Sequence, residues 1–159
     1  MLLKGVIFED FVNYKKTSMV LEFPYCSFKC DKECGEPVCQ NGALAQEPNI
    51  SVSVTDILMK YKSNPITEAI VFQGLEPFES FTYMCMIIDM LRNYLSCNDD
   101  VVIYTGYDYY EIADKVDTLS RIPNIIIKFG RYIKDQQPHF DEVLGVNLAS
   151  DNQYAKKVN

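Results

Sequence analysis

Basic charge, long apolar runs and histidine are what this chain has least of. Lys and Arg number 15 against 22 Asp and Glu, a formal charge of -7. It lacks the basic face that phosphate binding needs, although a local basic pocket is still compatible with that balance. No stretch reaches the roughly 18 apolar residues of a membrane span. The N-terminal MLLKGVIFEDF has too short an apolar run, and turns acidic too soon, for a secretory signal. The expected setting is therefore the cytosol, with neither nucleic acid nor membrane as partner. There is one histidine, His139, and no C-x-x-C pair. Structural zinc sites favour paired knuckles or a histidine pair, and neither exists here. No internal repeat or low-complexity segment occurs.

What is present is a core and a cluster of thiols. An apolar share of 48% and an aromatic share of 13% are those of a globular chain. A length of 159 residues suits one domain, so a single domain over 1–159 is expected. Four of the six cysteines fall in CSFKCDKECGEPVCQN, residues 26–41, at Cys26, Cys30, Cys34 and Cys39. In a reducing compartment clustered thiols hold metal or do chemistry more often than they form disulfides. Iron–sulfur ligation needs three or four thiolates and tolerates varied spacing, so it fits this loop better than zinc. Of the other two, Cys85 reads as a small core residue and Cys97 has no evident role.

Two patterns then alternate. SMVLEF (18–23) is a strand that runs into the cysteine loop. SVTDILMKYK (53–62) reads as a helix that Ser53 caps with Asp56 three residues on. ITEAIVFQG (66–74) is a strand, and PFESFTYMCMIIDMLRNYL (77–95) a helix with Phe81, Cys85, Ile88 and Leu91 on one face. VVIYTG (101–106) and NIIIKFG (124–130) are strands flanking a helix at 108–120. Continuous apolar runs such as VVIY and III predict strands buried on both faces, as in a parallel sheet. Strand–helix alternation predicts an α/β fold. Ligands in such folds gather at the carboxyl ends of the strands. That places the cysteine loop, QGLEP (73–77), TGY (105–107) and FGRY (129–132) on one side of the sheet.

These features together resemble the radical S-adenosylmethionine enzymes. Members carry C-x3-C-x2-C directly after the first strand of a partial (βα) barrel, where three cysteines hold a [4Fe–4S] cluster. Cys26 and Cys30 match, and Glu33 stands where the third cysteine belongs. In the activase branch the third cysteine is followed by one residue and then Asn, which C-Q-N at 39–41 satisfies. The resemblance thus implies Cys39 as third ligand, with Cys34 as the alternative, and a loop of C-x3-C-x8-C. The residue before that cysteine, here Val38, is apolar in the family and lies near the adenine. G-L-E-P at 74–77 is similar to the family's G-G-E-P turn, whose backbone and acidic side chain receive the methionine amino group.

VVIYTGYDYYEI (101–112), NIIIKFGRYIKD (124–135) and LGVNLASDNQYAKKV (144–158) resemble segments of the activating enzymes of anaerobic ribonucleotide reductase. Phe129 replaces the usual Asp of the second. The resemblance implies a compact partial barrel with a mostly parallel sheet. It implies an S-adenosylmethionine site at Val38, Asn41, Gln73, Gly74, Glu76, Thr105 and Gly106. It further implies one-electron cleavage of that nucleotide and hydrogen abstraction from a glycine of the reductase's catalytic subunit, with a flavodoxin or ferredoxin as electron donor. Tyr107 and Arg131 are candidates for the partner-facing side, although an arginine on such a turn is more often a solvated surface charge. Asn152 and Gln153 are candidates for ordering the C-terminus against the site. His139 reads as a loop residue.

Overall fold

The apolar runs become the strands of one sheet, and the amphipathic stretches between them pack on it. The computed structural model describes residues 1–159. In chain order the elements are β1 (Leu2–Leu3), β2 (Gly5–Asp10), β3 (Ser18–Phe23), α1 (Lys29–Cys34), α2 (Gly42–Gln46), β4 (Ile50–Ser51), α3 (Val54–Ser63) and β5 (Ala69–Gly74). They continue with α4 (Phe81–Asp89), β6 (Asp100–Tyr104), α5 (Ala113–Ser120), β7 (Ile125–Phe129), β8 (His139–Asp141), β9 (Val146–Leu148) and β10 (Tyr154–Lys157). The main sheet has six strands in the order β10-β7-β6-β5-β3-β2. Its four central strands are parallel, and β2 and β10 add antiparallel at the two edges.

Both faces of the central strands are buried, as their unbroken apolar runs predict. Side chains alternate between faces with period two. Met19, Leu21, Ile70, Phe72, Val101, Ile103, Ile125 and Ile127 join one core with Ile57, Leu58 and Tyr61 of α3, Met84, Ile87 and Ile88 of α4 and Val116 and Leu119 of α5. Val20, Val71, Val102 and Ile126 face the other way. There Leu144 and Leu148 of the β8–β9 hairpin cover them, together with Tyr14. Ser53 caps α3 by accepting from the Asp56 N–H at 3.2 Å, as its sequence predicts.

Several expectations need correction. The helix expected over 77–95 is three pieces: a 3-10 turn at Pro77–Ser80, α4, and a π-helical segment at Met90–Tyr94. Pro77 has no N–H to donate, and the Glu76 side chain takes the Phe78 N–H instead, which tightens the first turn. The buried stripe runs through Met84, Ile87, Ile88 and Leu91, while Phe81 and Cys85 lie half-buried at its margin. Cys97 is not idle, since it is buried in the core. His139 belongs to a strand rather than a loop.

One glycine is fixed by close approach. Gly74 ends β5 with φ of 94°, and a Cβ there would stand 2.7 Å from the Phe23 amide nitrogen and 2.8 Å from the Glu22 Cα. β3 and β5 therefore stay paired to their last residues, Phe23 opposite Gly74. The two loops that follow leave the sheet side by side.

Candidate metal and cofactor centre

A cavity of ≈ 310 Å³ opens at the carboxyl ends of β3, β5, β6 and β7. Small-molecule sites begin at about this size. Cys26, Cys30, Cys39 and Asn41 line it from the cysteine loop. Gln73, Gly74 and Glu76 line it from the turn after β5, and Thr105, Gly106 and Tyr107 from the turn after β6. Arg131 closes the far side after β7. Two of the expected residues are not among its lining: Val38 and Cys34. Cys34 is exposed and lies on a neighbouring pocket with Glu33 and Lys134.

The long spacing between Cys30 and Cys39 is folded into α1 and a return loop. Phe28 begins it in the left-handed region, φ 53°, and its amide donates to the Cys26 sulfur at 3.2 Å. Gly35 ends α1 in the same region, φ 76°. Asp31 then draws the chain back, because its Oδ1 accepts from the Val38 amide at 2.9 Å and the Cys39 amide at 2.8 Å. Cys39 thereby returns to the cavity beside Cys30. Asp31→Ala is expected to release both amides and make Cys39 alkylate severalfold faster in metal-free protein, followed by mass spectrometry. Hydrogen bonds to a charged acceptor are worth about 1.5–3 kcal/mol, less where solvent reaches them. Asp31→Asn keeps Oδ1 and should behave nearly as the parent chain.

The turn after β5 is held against both ends of the cysteine loop. The amides of Leu75 and Glu76 donate to the carbonyls of Phe23 and Tyr25 at 3.1 and 2.8 Å. Asn41 Nδ2 donates to the Gly74 carbonyl at 2.7 Å. Glu76 is 4% exposed. Its Oε1 accepts from Phe78 N at 3.0 Å and Thr105 Oγ1 at 2.8 Å, and its Oε2 accepts from Gly106 N at 2.9 Å. One carboxylate thus fixes the turns after β5 and β6 together. Burial raises its pKa to about 7, against the three hydrogen bonds that favour the charged form.

Arg131 is a hub, not a solvated charge. Its side chain is 11% exposed, and Nη2 lies 2.6 Å from Glu111 Oε1. Its Nη1 stands 3.8 Å from Asp108, and its Nε stands 3.3 Å from Glu33, within ion-pair range but off hydrogen-bond geometry. The Arg131 hydrogen bond is the main cause that draws the Glu111 carboxyl down to about 2. Lys29 pairs with the same carboxylate at 3.0 Å. Glu33 thus brings α1 within ion-pair range of the turn after β7. Asn152 Nδ2 donates to the Arg131 carbonyl, and Gln153 Nε2 to the Gly130 carbonyl, so the C-terminal segment does order this turn.

The donor set fits an iron–sulfur cluster. Three thiols converge on one cavity. Burial is the leading cause that lifts Cys26 to about 11 and Cys30 to about 12, the latter also through neighbouring Cys39. Such thiols ionise readily only against a cationic metal. No three His, Cys, Asp or Glu side chains stand close enough together to hold a single metal ion. The sequence reading missed Lys128, Tyr104 and Glu79, which also line the cavity. Lys128 had a signal: a lysine inside the apolar run NIIIKFG must either escape or find a polar hollow.

Residues 15–153 match the family model described as a 4Fe-4S single cluster domain. No curated protein and no solved structure shows significant similarity to the chain. No helix is long and apolar enough to cross a membrane. The family match spans most of the chain, the matched segment carries the three converging thiols, and the chain belongs to this 4Fe-4S single-cluster family.

Proposed function

We propose that this protein is a radical S-adenosylmethionine activase, with Cys26, Cys30 and Cys39 holding a [4Fe–4S] cluster in a single domain of partial-barrel type. The observation that carries the reading is the convergence of three thiols, and not four, on a cavity that the G-L-E-P and T-G-Y turns also line. Three thiolates leave one iron open to a ligand. Bound and reduced, such a cluster supplies the electron that cleaves the nucleotide's C5′–S bond to methionine and a 5′-deoxyadenosyl radical. The chain supplies position and exclusion of water. Asn41 and the carbonyls of Phe23 and Tyr25 fix the Gly74–Pro77 turn, which gives the methionine end a rigid backbone edge to dock on. Gln73 and the Thr105–Gly106 turn, locked by Glu76, offer polar atoms for the rest of the nucleotide. Val38 stands outside the cavity's lining, so nothing in the geometry supports a contact between it and the adenine.

The proposed substrate is a glycine in a loop of the catalytic subunit of an anaerobic ribonucleotide reductase. The electron donor is of flavodoxin or ferredoxin type, and the setting is the cytosol. Beyond the half-buried Tyr107 the turn after β6 presents Tyr110, 90% exposed, a surface that suits a macromolecular substrate.

The test is anaerobic reconstitution with iron and sulfide, then EPR of the dithionite-reduced protein with and without S-adenosylmethionine. The expected result is a reduced [4Fe–4S] signal that changes on adding the nucleotide. A colourless protein that retains zinc would overturn the reading in favour of a zinc-binding interaction module. A nucleotide-responsive cluster that leaves the reductase without a glycyl radical would point to another substrate.

A further inference from the structure

The cavity holds a cation that has no ion-pair partner in the fold. Three cationic side chains line it: Lys29, Arg131 and Lys128. Lys29 is paired with Glu111, and Arg131 with Glu33, Asp108 and Glu111. Lys128 forms no ion pair, although it is only 7% exposed. Its Nζ donates to one acceptor, the Gly130 carbonyl at 2.8 Å. An ammonium carries three donors, so two N–H groups remain for the cavity. A buried charge is costly unless it is paired. The only carboxylate with an electrostatic hold on it is Glu76, whose own oxygens are taken by Phe78, Thr105 and Gly106.

The strand register explains why the lysine sits there. Lys128 lies opposite Tyr104 across the β6–β7 pair, two residues beyond Ile126 and Val102. It continues the face that the hairpin covers lower down, and it emerges where that apolar cover stops. Tyr104 spends its hydroxyl on the Asn13 carbonyl, and Gln73, one strand further, brings an amide to the same floor.

We propose that Lys128 forms an anion subsite on the cavity floor that takes a carboxylate of the bound ligand. That carboxylate belongs either to the methionine end of the nucleotide or to the substrate. Buried, the pairing gains from low dielectric what the same contact loses at the surface. The proposal rests on the radical-enzyme reading for the nucleotide but not for the subsite itself.

The experiment compares the full chain with Lys128→Met, and with Lys128→Gln as a second variant. Both variants keep the side chain's length approximately and remove its charge. Cooperative thermal unfolding and iron and sulfide content establish that each variant is folded and loaded. Binding of S-adenosylmethionine and of its decarboxylated analogue is then measured anaerobically on reconstituted protein. Stabilisation by acetate, against chloride at equal ionic strength, is measured on metal-free protein.

A loss of at least tenfold in affinity for S-adenosylmethionine, with the decarboxylated analogue unaffected, assigns the subsite to the nucleotide's carboxylate. Unchanged nucleotide binding, with acetate raising the melting temperature of the parent but not of the variants, assigns it to a substrate carboxylate. Equal nucleotide affinity and equal acetate response in all three proteins overturns the proposal. A parent protein that binds no nucleotide at all sinks the radical-enzyme reading, while the acetate comparison still decides the subsite.

Discussion

Cys39→Ala is expected to abolish the iron–sulfur cluster, and Cys34→Ala to leave it in place. The two cysteines are five positions apart, and either could complete the spacing that Cys26 and Cys30 begin. Their surroundings differ. Cys39 lines the cavity with Cys26 and Cys30, its amide held by Asp31. Cys34 ends α1 on the exposed side, its thiol 3.9 Å from Glu36, which is itself paired with Lys134 at 2.8 Å. Cys34 is the last residue of α1, and Glu33 beside it lies within ion-pair range of Arg131, so bringing Cys34 into the cavity requires α1 to move. Losing a ligand from a three-thiolate set leaves two, too few to retain the cluster. Iron after anaerobic reconstitution should fall below roughly a fifth of the parent value in Cys39→Ala and stay near it in Cys34→Ala. The reverse pattern would make Cys34 the third ligand and require the loop to refold around the cluster.

The central sheet was legible because its signals were local. Ser18–Phe23, Ala69–Gly74, Asp100–Tyr104 and Ile125–Phe129 are apolar runs ended by turns, and the strands lie where those runs lie. The edges were not. β2 reads G-V-I-F-E-D, with half its residues exposed, and β10 reads Y-A-K-K. Neither alternates cleanly, because each becomes a strand only by pairing with an existing neighbour. The β8–β9 hairpin is equally opaque, since its value lies in Leu144 and Leu148 covering a face built from four separate strands earlier in the chain.

At the site, residue type and order brought out the cysteines and the turns, but not the joints between them. No sequence pattern shows that Asp31 draws in the Cys39 amide, that Glu76 bridges two turns, or that Arg131 gathers Glu33, Asp108 and Glu111. Those joints answer to distances between loops, which are set by strand register. Arg131 shows this most sharply. By type it is an ordinary surface charge, and by place its largely covered side chain lies between three carboxylates.

Glu76 carries the second large effect, in the metal-free protein and as a function of pH. Burial holds its folded-state pKa at about 7, above the ordinary value of 4.5. Between those values the unfolded chain releases a proton that the folded chain keeps. The contribution to stability is therefore full below pH 4.5 and lost as pH rises through 7. A gap of this size corresponds to roughly 3 kcal/mol, since each pH unit is worth about 1.4 kcal/mol. Glu76→Gln removes the titration. It also removes a bond, because the amide nitrogen that replaces one carboxylate oxygen cannot accept from Gly106 N, and an orphaned donor costs about 1–3 kcal/mol. The variant should thus be less stable than the parent at pH 5, and the difference should shrink or reverse by pH 8. Anaerobic urea unfolding of both proteins across that range reads the difference directly, with other titrating groups cancelling between them. Parallel curves would mean that Glu76 ionises as an ordinary carboxylate. A converging pair would show a carboxyl that is half-protonated near neutrality and strapped across two cavity turns. A cationic ligand group arriving beside it would then be met by a carboxyl that gains its charge as the ligand docks.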